Sequence, residues 1–206
     1  MSDREQPQLY LITPPVVDLD SFPGTLAGLL DAMPIACVRL ALASRDERIL
    51  GKTADALREV AHARDVPLVI DSHVLLVERH GLDGVHLPDG GKGLRKLRDE
   101  LGGDVILGAY CGTSRHVGMA AGEAGADYIA FGPVEGGSLG DGSVAETDLF
   151  AWWSEMIELP VVAEGGLTVA AVERLAPVTD FFAIGDEIWT SDTPLAALQT
   201  LTAPLR

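Results

Sequence analysis

The stretch Pro160-Val161-Val162-Ala163-Glu164-Gly165-Gly166 shows the unit that decides the fold. It is a short run of β-forming residues that ends in a glycine pair. Runs of this type alternate with helical patterns along the whole chain, which is typical of repeated β-α units and a parallel sheet. The predicted strands are Gln8–Thr13, Ile35–Leu40, Pro67–Ile70, Gly84–His86, Val105–Gly108, Tyr128–Gly132, Val161–Ala163 and Phe181–Gly185.

The number of these units indicates how the sheet closes. Eight units in 206 residues average about 26 residues each, so we predict one α/β domain, a single (β/α)8 barrel over residues 1–206. The helical stretches each have one apolar face, as Leu50, Ala54, Leu57 and Ala61 show. A doubly wound open sheet is the alternative, but Pro14-Pro15 follows the first strand where that class carries a glycine-rich dinucleotide turn.

In a barrel of this type the functional residues lie at the carboxyl ends of the strands and in the loops that follow them. The longest such loop is Gly132–Val144, which contains five glycines. We interpret it as a mobile lid that closes on a ligand. An exposed flexible linker is the alternative interpretation.

Composition excludes several classes of partner. The chain has 15 Lys and Arg residues against 31 Asp and Glu residues, a formal charge of −16 that opposes binding to nucleic acid or to anionic lipid. No apolar run is long enough to span a membrane, and the first residues lack the pattern of a signal peptide. The two cysteines, Cys37 and Cys111, have no zinc-site spacing, which favours a reducing cytoplasm.

Four motifs in order along the chain resemble one family. They are Leu9-Tyr10-Leu11-Ile12-Thr13, Asp83-Gly84-Val85-His86-Leu87, Gly125-Ala126-Asp127-Tyr128-Ile129-Ala130-Phe131-Gly132-Pro133 and Pro160–Gly166. Together they resemble thiamine phosphate synthase and its thiazole tautomerase relatives, over nearly the whole chain. The resemblance implies a (β/α)8 barrel and a transferase of thiamine biosynthesis. In the family reaction, a hydroxymethylpyrimidine diphosphate loses pyrophosphate to a Mg2+ site and a thiazole phosphate captures the carbocation.

The chain departs from the family at its charged ligands. Where the family has Val-Gln-Leu-Arg and then Lys two residues later, this chain has Arg39 at the Gln position and alanines at the Arg and Lys positions. Ser72 stands at the position of the first metal-binding Asp, and Gly91 at that of the second. Asp71 and Asp89 lie close to these two positions in the sequence, so they are the candidate Mg2+ ligands.

Other family positions are also changed. Cys111 aligns with a Ser that follows the fifth strand, Gly137-Ser138-Leu139-Gly140 replaces Thr-x-Thr-Lys in the lid, and Pro133 stands where the tautomerases have their catalytic His. The phosphate end is retained, because Gly165, Gly166 and Gly185 match the loops that hold the phosphate in the family. Asp186 adds a negative charge beside them.

Three charged residues are the predicted catalytic group. Arg39 shares a strand face with Cys37, so we expect it to point into the barrel mouth, where its partner is either a bound anion or Asp71. Glu164 precedes Gly165 at the end of a strand. A carboxylate there needs to pair with Arg39, bind a cation or act as a base.

Three further residues are candidates for substrate binding. His73 lies at a strand end, where it is also a candidate ligand or acid-base group. His86 is either an acid-base group or a buried histidine bonded to its neighbours, and Cys111 is either a nucleophile or a buried thiol. The run from Asp89 to Gly93, which includes Lys92, is either an anion-binding nest or an ordinary turn.

The sequence leaves three functions open. The first is a transferase that binds a small phosphorylated heterocycle, with Mg2+ as the cofactor that the resemblance implies. The second is a catalytically silent barrel that senses a phosphorylated ligand or binds a partner protein. The third is a metal-independent isomerase or lyase with Glu164 or Asp71 as base, which predicts a carboxylate pKa shifted upward in a dry pocket. We also consider a homo-oligomer, with Trp152-Trp153 packing against a neighbouring element or a second subunit.

Overall fold

The computed structural model describes residues 6–136 and 143–205. Within them, parallel strands form a closed barrel in chain order, and the last strand pairs with the first through Gln8 and Phe181. The strands are β1 Gln8–Ile12, β2 Ile35–Leu40, β3 Leu68–Asp71, β4 Gly84–Leu87, β5 Ile106–Tyr110, β6 Tyr128–Phe131, β7 Val161–Glu164 and β8 Phe181–Ile184. The predicted barrel is confirmed, and the open-sheet alternative is wrong because the sheet has no free edge.

Helices follow the strands and cover the outside of the barrel. They are α1 Phe22–Ala32, α2 Glu47–His62, α3 Val74–His80, α4 Leu94–Leu101, α5 Arg115–Glu123, α6 Thr147–Met156, α7 Val169–Leu175, α8 Asp186–Trp189 and α9 Pro194–Leu201, followed by the 3-10 turn Ala203–Leu205. No helix in the described part of the chain is long and apolar enough to cross a membrane.

Helix α2 shows how the sequence sets these elements. The Asp46 carboxylate caps its start by accepting a hydrogen bond of 2.9 Å from the Arg48 amide. The predicted apolar stripe from Leu50 to Ala61 is buried against the strands. Trp153 of α6 is buried in the same layer between strands and helices, with its ring against Phe131. Trp153 therefore packs against a neighbouring element of its own chain, which is one of the two interpretations given for the adjacent tryptophans.

An aspartate before every second strand from β4 onward ties the barrel together at the amino ends of the strands. These residues are Asp83, Asp127 and Asp180, and each carboxylate accepts a hydrogen bond from a backbone amide of the preceding strand. The donors are Leu68 at 2.7 Å, Leu107 at 2.7 Å and Val161 at 2.8 Å. The carboxylates thus satisfy backbone amides at the amino ends of the strands. The candidate functional side chains lie at the carboxyl ends.

A neutral polar layer fills the barrel interior. The Tyr128 hydroxyl lies 2.7 Å from the Tyr10 hydroxyl and 2.9 Å from Nδ1 of His86. We call Tyr10, Tyr128 and His86 the interior triad. Gly108 makes room for it, since a Cβ at that position would lie 2.1 Å from the Tyr128 ring. Burial, with a smaller contribution from the Arg39 charge, lowers the pKa of His86 well below its usual value, so the triad is uncharged at neutral pH.

Candidate functional site

Three charged side chains meet at the barrel mouth, just above the interior triad. Arg39 comes from β2, Asp71 ends β3 and Glu164 ends β7, and we call these residues the mouth cluster. Nη1 of Arg39 donates to Oε2 of Glu164 at 3.1 Å, and Nη2 donates to Oε1 of the same carboxylate. Asp71 Oδ1 lies 3.5 Å from Arg39 Nε. Arg39 therefore points into the mouth as strand alternation predicts, and both carboxylates are its partners.

The cluster is buried but not fully satisfied. Arg39 and Glu164 are each 4% exposed, whereas the Asp71 side chain is 31% exposed. Arg39 Nε and Asp71 Oδ1 have no hydrogen-bond partner among the described residues, although they face each other. Buried polar atoms almost always have a partner in native proteins. The unmet pair therefore lies inside the cluster, and the exposed part of the Asp71 side chain is what a ligand in the mouth can contact.

The electrostatics of the cluster separate its two carboxylates. Burial raises the pKa of Asp71 to about 6, the Arg39 charge lowers it in part, and Glu164 raises it further. Glu164 is held by two charge-assisted hydrogen bonds to one guanidinium, which is the strong bidentate arrangement. The protonation of Asp71 thus changes close to neutral pH.

A pocket of about 420 Å3 opens above the mouth cluster. The loops after β1, β2, β6, β7 and β8 line it, and they bring Gly165, Gly166 and Gly185 to one side of the cavity. Gly166 has φ +71, and a Cβ there would lie 2.7 Å from the Glu135 carbonyl oxygen. The close contact between these loops therefore requires glycine at this position.

Glu187 is a pocket residue that the sequence analysis missed. Its Oε2 accepts a hydrogen bond of 2.8 Å from the Gly185 amide, and its Oε1 accepts one of 3.1 Å from the Leu167 amide. The two donors belong to the loops after β8 and β7, so one carboxylate bridges both loops. Glu187 stands two positions after Gly185 in the sequence, and this acidic residue was the available signal. The sequence analysis named only the adjacent Asp186.

Two predicted site residues lie outside this pocket. His73 precedes α3 and lines a separate surface depression with Glu47 and Arg79. Asp89 is exposed and lines another depression with Lys92. The structure therefore brings neither of them to the mouth cluster.

Two other candidates are buried away from the cavity. His86 is 2% exposed and bonded within the interior triad, which matches the interpretation of it as a buried, locally satisfied histidine. Cys111 is 4% exposed, its thiol lies 3.5 Å from the Ala109 carbonyl oxygen, and burial raises its pKa to about 12. A thiol with that pKa stays protonated, which favours the interpretation as a buried thiol.

The donor set does not fit the Mg2+ site that the resemblance implies. Ser72 and Gly91 provide no carboxylate, Asp71 faces a guanidinium, and Asp89 lines a different depression. Across residues 6–136 and 143–205, no three His, Cys, Asp or Glu side chains are placed to hold a metal ion.

The base of the predicted lid is described, but its centre is not. The Ala145 amide donates to the Pro133 carbonyl at 2.7 Å, which closes the base of the loop. Residues 137–142 lie outside the described residues, and with them the segment Gly137–Gly140 that aligns with the family's Thr-x-Thr-Lys.

Comparison with known proteins agrees with the four motifs. The model of the family described as thiamine monophosphate synthase matches residues 9–185. The thiamine-phosphate synthase of Rhodospirillum centenum is 38% identical, with 97% of this chain and 98% of the relative covered. That of Erythrobacter litoralis is 35% identical, with 93% of each covered.

The solved structures support the fold. The thiamine phosphate pyrophosphorylase of Pyrococcus furiosus superposes with a TM-score of 0.81 at 21% identity, covering 96% of this chain and 95% of that chain. The sequence relatives, similar over nearly their whole length, support a transferase enzyme, as the resemblance implied. The chain belongs to the thiamine monophosphate synthase family.

Proposed function

We propose that the protein makes thiamine phosphate at the barrel mouth, by transferring a hydroxymethylpyrimidine group from its diphosphate to a phosphorylated thiazole. In this reaction the bond between the pyrimidine methylene carbon and the pyrophosphate oxygen breaks, and pyrophosphate leaves with the electron pair of that bond. The lone pair of the thiazole nitrogen then forms the new carbon–nitrogen bond. Family membership supports this reaction class, and the cavity of about 420 Å3 has the size of a small-molecule site.

The observation that carries the proposal is the charge of the pocket. Four of its described lining residues are acidic and one is basic: Asp71, Glu164, Asp186 and Glu187 against Arg39. Fixed charges act most strongly on charge that develops in a water-poor site. Carboxylates at the mouth favour a transition state in which the pyrimidine methylene carbon becomes positive. The same carboxylates repel the diphosphate and phosphate groups of the two substrates, so the charge of the pocket supports the carbocation and not the binding of these groups.

Each member of the mouth cluster has a distinct role in this proposal. Arg39 orients Glu164 through two hydrogen bonds. Asp71 lines the pocket with a side chain that is 31% exposed and is the carboxylate that faces the bound pyrimidine. Gly165, Gly166 and Gly185 contact the phosphorylated thiazole through their backbone, as their matching family positions do.

The test is formation of thiamine phosphate from the two family substrates, with and without Mg2+. We expect product with the wild type and a fall in kcat/KM of about 100-fold for Arg39→Ala and for Glu164→Gln, as for other removed transition-state charges. Arg64→Ala is the matched control, since Arg64 pairs with Asp31 on the surface and lines no part of this pocket. Equal rates for all four proteins would contradict the assigned roles.

Absence of product would separate the alternatives. If thiazole phosphate still raised the melting temperature, the transferase proposal would be wrong and a silent ligand-binding barrel would take its place.

Both cysteines are free thiols, consistent with the cytoplasm as the expected compartment. A homo-oligomer stays a prediction, which sedimentation of the purified protein tests.

A second candidate function has one observation in its favour. The pKa of Asp71, raised to about 6 by burial, suits a general base for an isomerase or lyase without a metal. Such an enzyme exchanges a carbon-bound proton of its ligand with solvent. Exchange of deuterium into thiazole phosphate, detected by NMR and lost in Asp71→Asn, would favour this candidate over transfer.

A further inference from the structure

Thr13 directly follows β1 and holds the end of β2 with its side chain. Its backbone amide donates to the Arg39 carbonyl at 2.9 Å, and its hydroxyl oxygen accepts from the Ala41 amide at 3.0 Å. In a regular parallel ladder the Ala41 amide would instead donate to the Thr13 carbonyl. The strand ends here because Pro14 and Pro15 have no N–H to continue it. The Thr13 side chain therefore takes the place of a backbone acceptor at the barrel mouth.

This bond uses the Thr13 oxygen as an acceptor and leaves its proton unused. A threonine hydroxyl also donates one hydrogen bond, but no described residue accepts one from Thr13. Two other buried threonines, Thr179 and Thr202, each donate to a backbone carbonyl, at 3.0 Å and 2.8 Å. Thr13 is equally buried, at 4% exposed, and it lines the pocket. Since buried polar groups normally have partners, its proton is available to a ligand in the cavity.

Side-chain donors are scarce in this pocket. Among the described lining residues, Thr13 and Arg39 are the two whose side chains carry a hydrogen-bond donor at neutral pH. Arg39 already bonds Glu164 through both terminal nitrogens and faces Asp71 with Nε. The Thr13 hydroxyl is thus the lining side-chain donor that no described residue engages.

We propose that the Thr13 hydroxyl is a substrate-binding group of this pocket, which donates its hydrogen bond to a phosphoryl oxygen. Phosphoryl oxygens accept strong, charge-assisted hydrogen bonds. They need such donors here, because the carboxylates of the pocket repel them. The inference rests on the proposed function for the identity of the substrates, both of which carry phosphoryl groups.

A structural role alone would use only the acceptor side of the hydroxyl. Thr13 would then do no more than satisfy the Ala41 amide, and its loss would weaken all ligands of the pocket to the same extent. Thr13→Val removes the hydroxyl and keeps the shape of the side chain, whereas Thr13→Ser keeps the hydroxyl. Comparison of phosphorylated with unphosphorylated ligands separates the two roles.

The first experiment titrates inorganic phosphate and pyrophosphate in a calorimeter, so it depends on no reaction. We expect Thr13→Val to bind at least one of these anions tenfold more weakly than the wild type, and Thr13→Ser to stay within threefold. Thr179→Val is the matched control, because it removes a buried hydroxyl that donates to the Val161 carbonyl and lines no part of this pocket. Its affinities should stay within twofold.

The second experiment identifies which substrate supplies the phosphoryl group. It compares hydroxymethylpyrimidine diphosphate with the pyrimidine alcohol, and thiazole phosphate with the thiazole alcohol. In Thr13→Val the phosphorylated member of one pair should lose at least tenfold in affinity, while both alcohols stay within twofold. Thr13→Ala also lacks the hydroxyl and is used if the valine variant folds poorly.

Several results would overturn the inference. They are unchanged affinity for both anions in a folded Thr13→Val protein, equal losses for phosphorylated ligands and alcohols, and equal losses in Thr13→Val and Thr179→Val. Each would leave Thr13 as a bond between strand ends. Failure to form thiamine phosphate, with the loss of anion affinity in Thr13→Val still present, would instead overturn the proposed function and leave the role of the hydroxyl intact.

Discussion

The interior triad comes from β1, β4 and β6 and the mouth cluster from β2, β3 and β7, and the two sets treat polar groups in opposite ways. The triad is uncharged, and each of its members is hydrogen-bonded to another. The cluster is charged, and two of its buried atoms have no hydrogen-bond partner in the described residues. The layers touch, since the Arg39 guanidinium lies 5.7 Å from the centre of the Tyr10 ring.

This difference separates structure from function within one barrel. A satisfied neutral layer specifies the packing of the interior without a large desolvation penalty. A buried ion pair is weak evidence for stability, because its desolvation offsets its attraction. The charges of the mouth cluster are therefore best explained by what they do to a ligand, and the following variants test that explanation.

The largest effect is expected from removing the cation of the mouth cluster. In Arg39→Ala, the carboxylates of Glu164 and Asp71 stay buried without their partner, so we expect the free energy of unfolding to fall by about 3–5 kcal/mol. Urea denaturation followed by circular dichroism measures this change. A loss below about 1 kcal/mol would show that the pair is effectively solvated, and the contrast between the layers would disappear.

A double variant sharpens the same comparison. Replacing the pair by apolar residues of similar size, Arg39→Met with Glu164→Leu, removes both charges together. We expect most of the stability lost in Arg39→Ala to return, because apolar replacements of buried pairs are often neutral or stabilising. The value of kcat/KM should stay at least as low as in Arg39→Ala. Stability without activity would show that the pair is kept for chemistry.

For the interior triad, we expect substitutions to lower stability and to leave substrate binding unchanged. Tyr128→Phe removes the hydroxyl that bonds both Tyr10 and His86, so we expect a loss of about 1–3 kcal/mol from the polar atoms left unsatisfied. Tyr10→Phe is the control with one lost bond and should cost less. Both variants should keep KM within twofold. A change in KM larger than twofold in either variant would place the triad in the functional site.

The regularity of the barrel explains why the fold was predictable. Every strand is short and apolar, and each ends near a glycine or a polar residue, so that periodicity alone found all eight. The bounds of β2 match the predicted ones, and those of the other strands differ by one or two residues, as at β5, which runs to Tyr110 instead of Gly108. Two-residue alternation also oriented Arg39 correctly, because the barrel keeps that alternation to its mouth.

The site was less predictable, because its contacts cross between loops. Pairing of Arg39 with Glu164 was one of several options, since sequence spacing does not show that β2 and β7 face each other across the barrel. The bridge from Glu187 to Leu167 depends on the relative position of two loops, which no local pattern encodes. Asp89 failed to reach Asp71 for the same reason, as its loop turns outward.

The smallest expected effect concerns Asp71 and depends on pH. Its pKa is raised from 3.8 to about 6 in the folded protein, so the folded state favours the protonated form. Below pH 3.8 the group contributes nothing to the pH dependence of stability. Between pH 3.8 and 6 the free energy of unfolding falls as pH rises, and above pH 6 the full penalty is present.

Asp71→Asn removes this penalty. Relative to the wild type, we expect the variant to gain about 1 kcal/mol of unfolding free energy at pH 8 and almost none at pH 4, the exposed part of the side chain reducing the full linkage value. Urea denaturation of both proteins at the two pH values measures the difference. A loss of stability at pH 8 would mean that attraction to Arg39 outweighs burial, and Asp71 would then belong with the satisfied groups of the interior rather than with the unmet charges of the mouth.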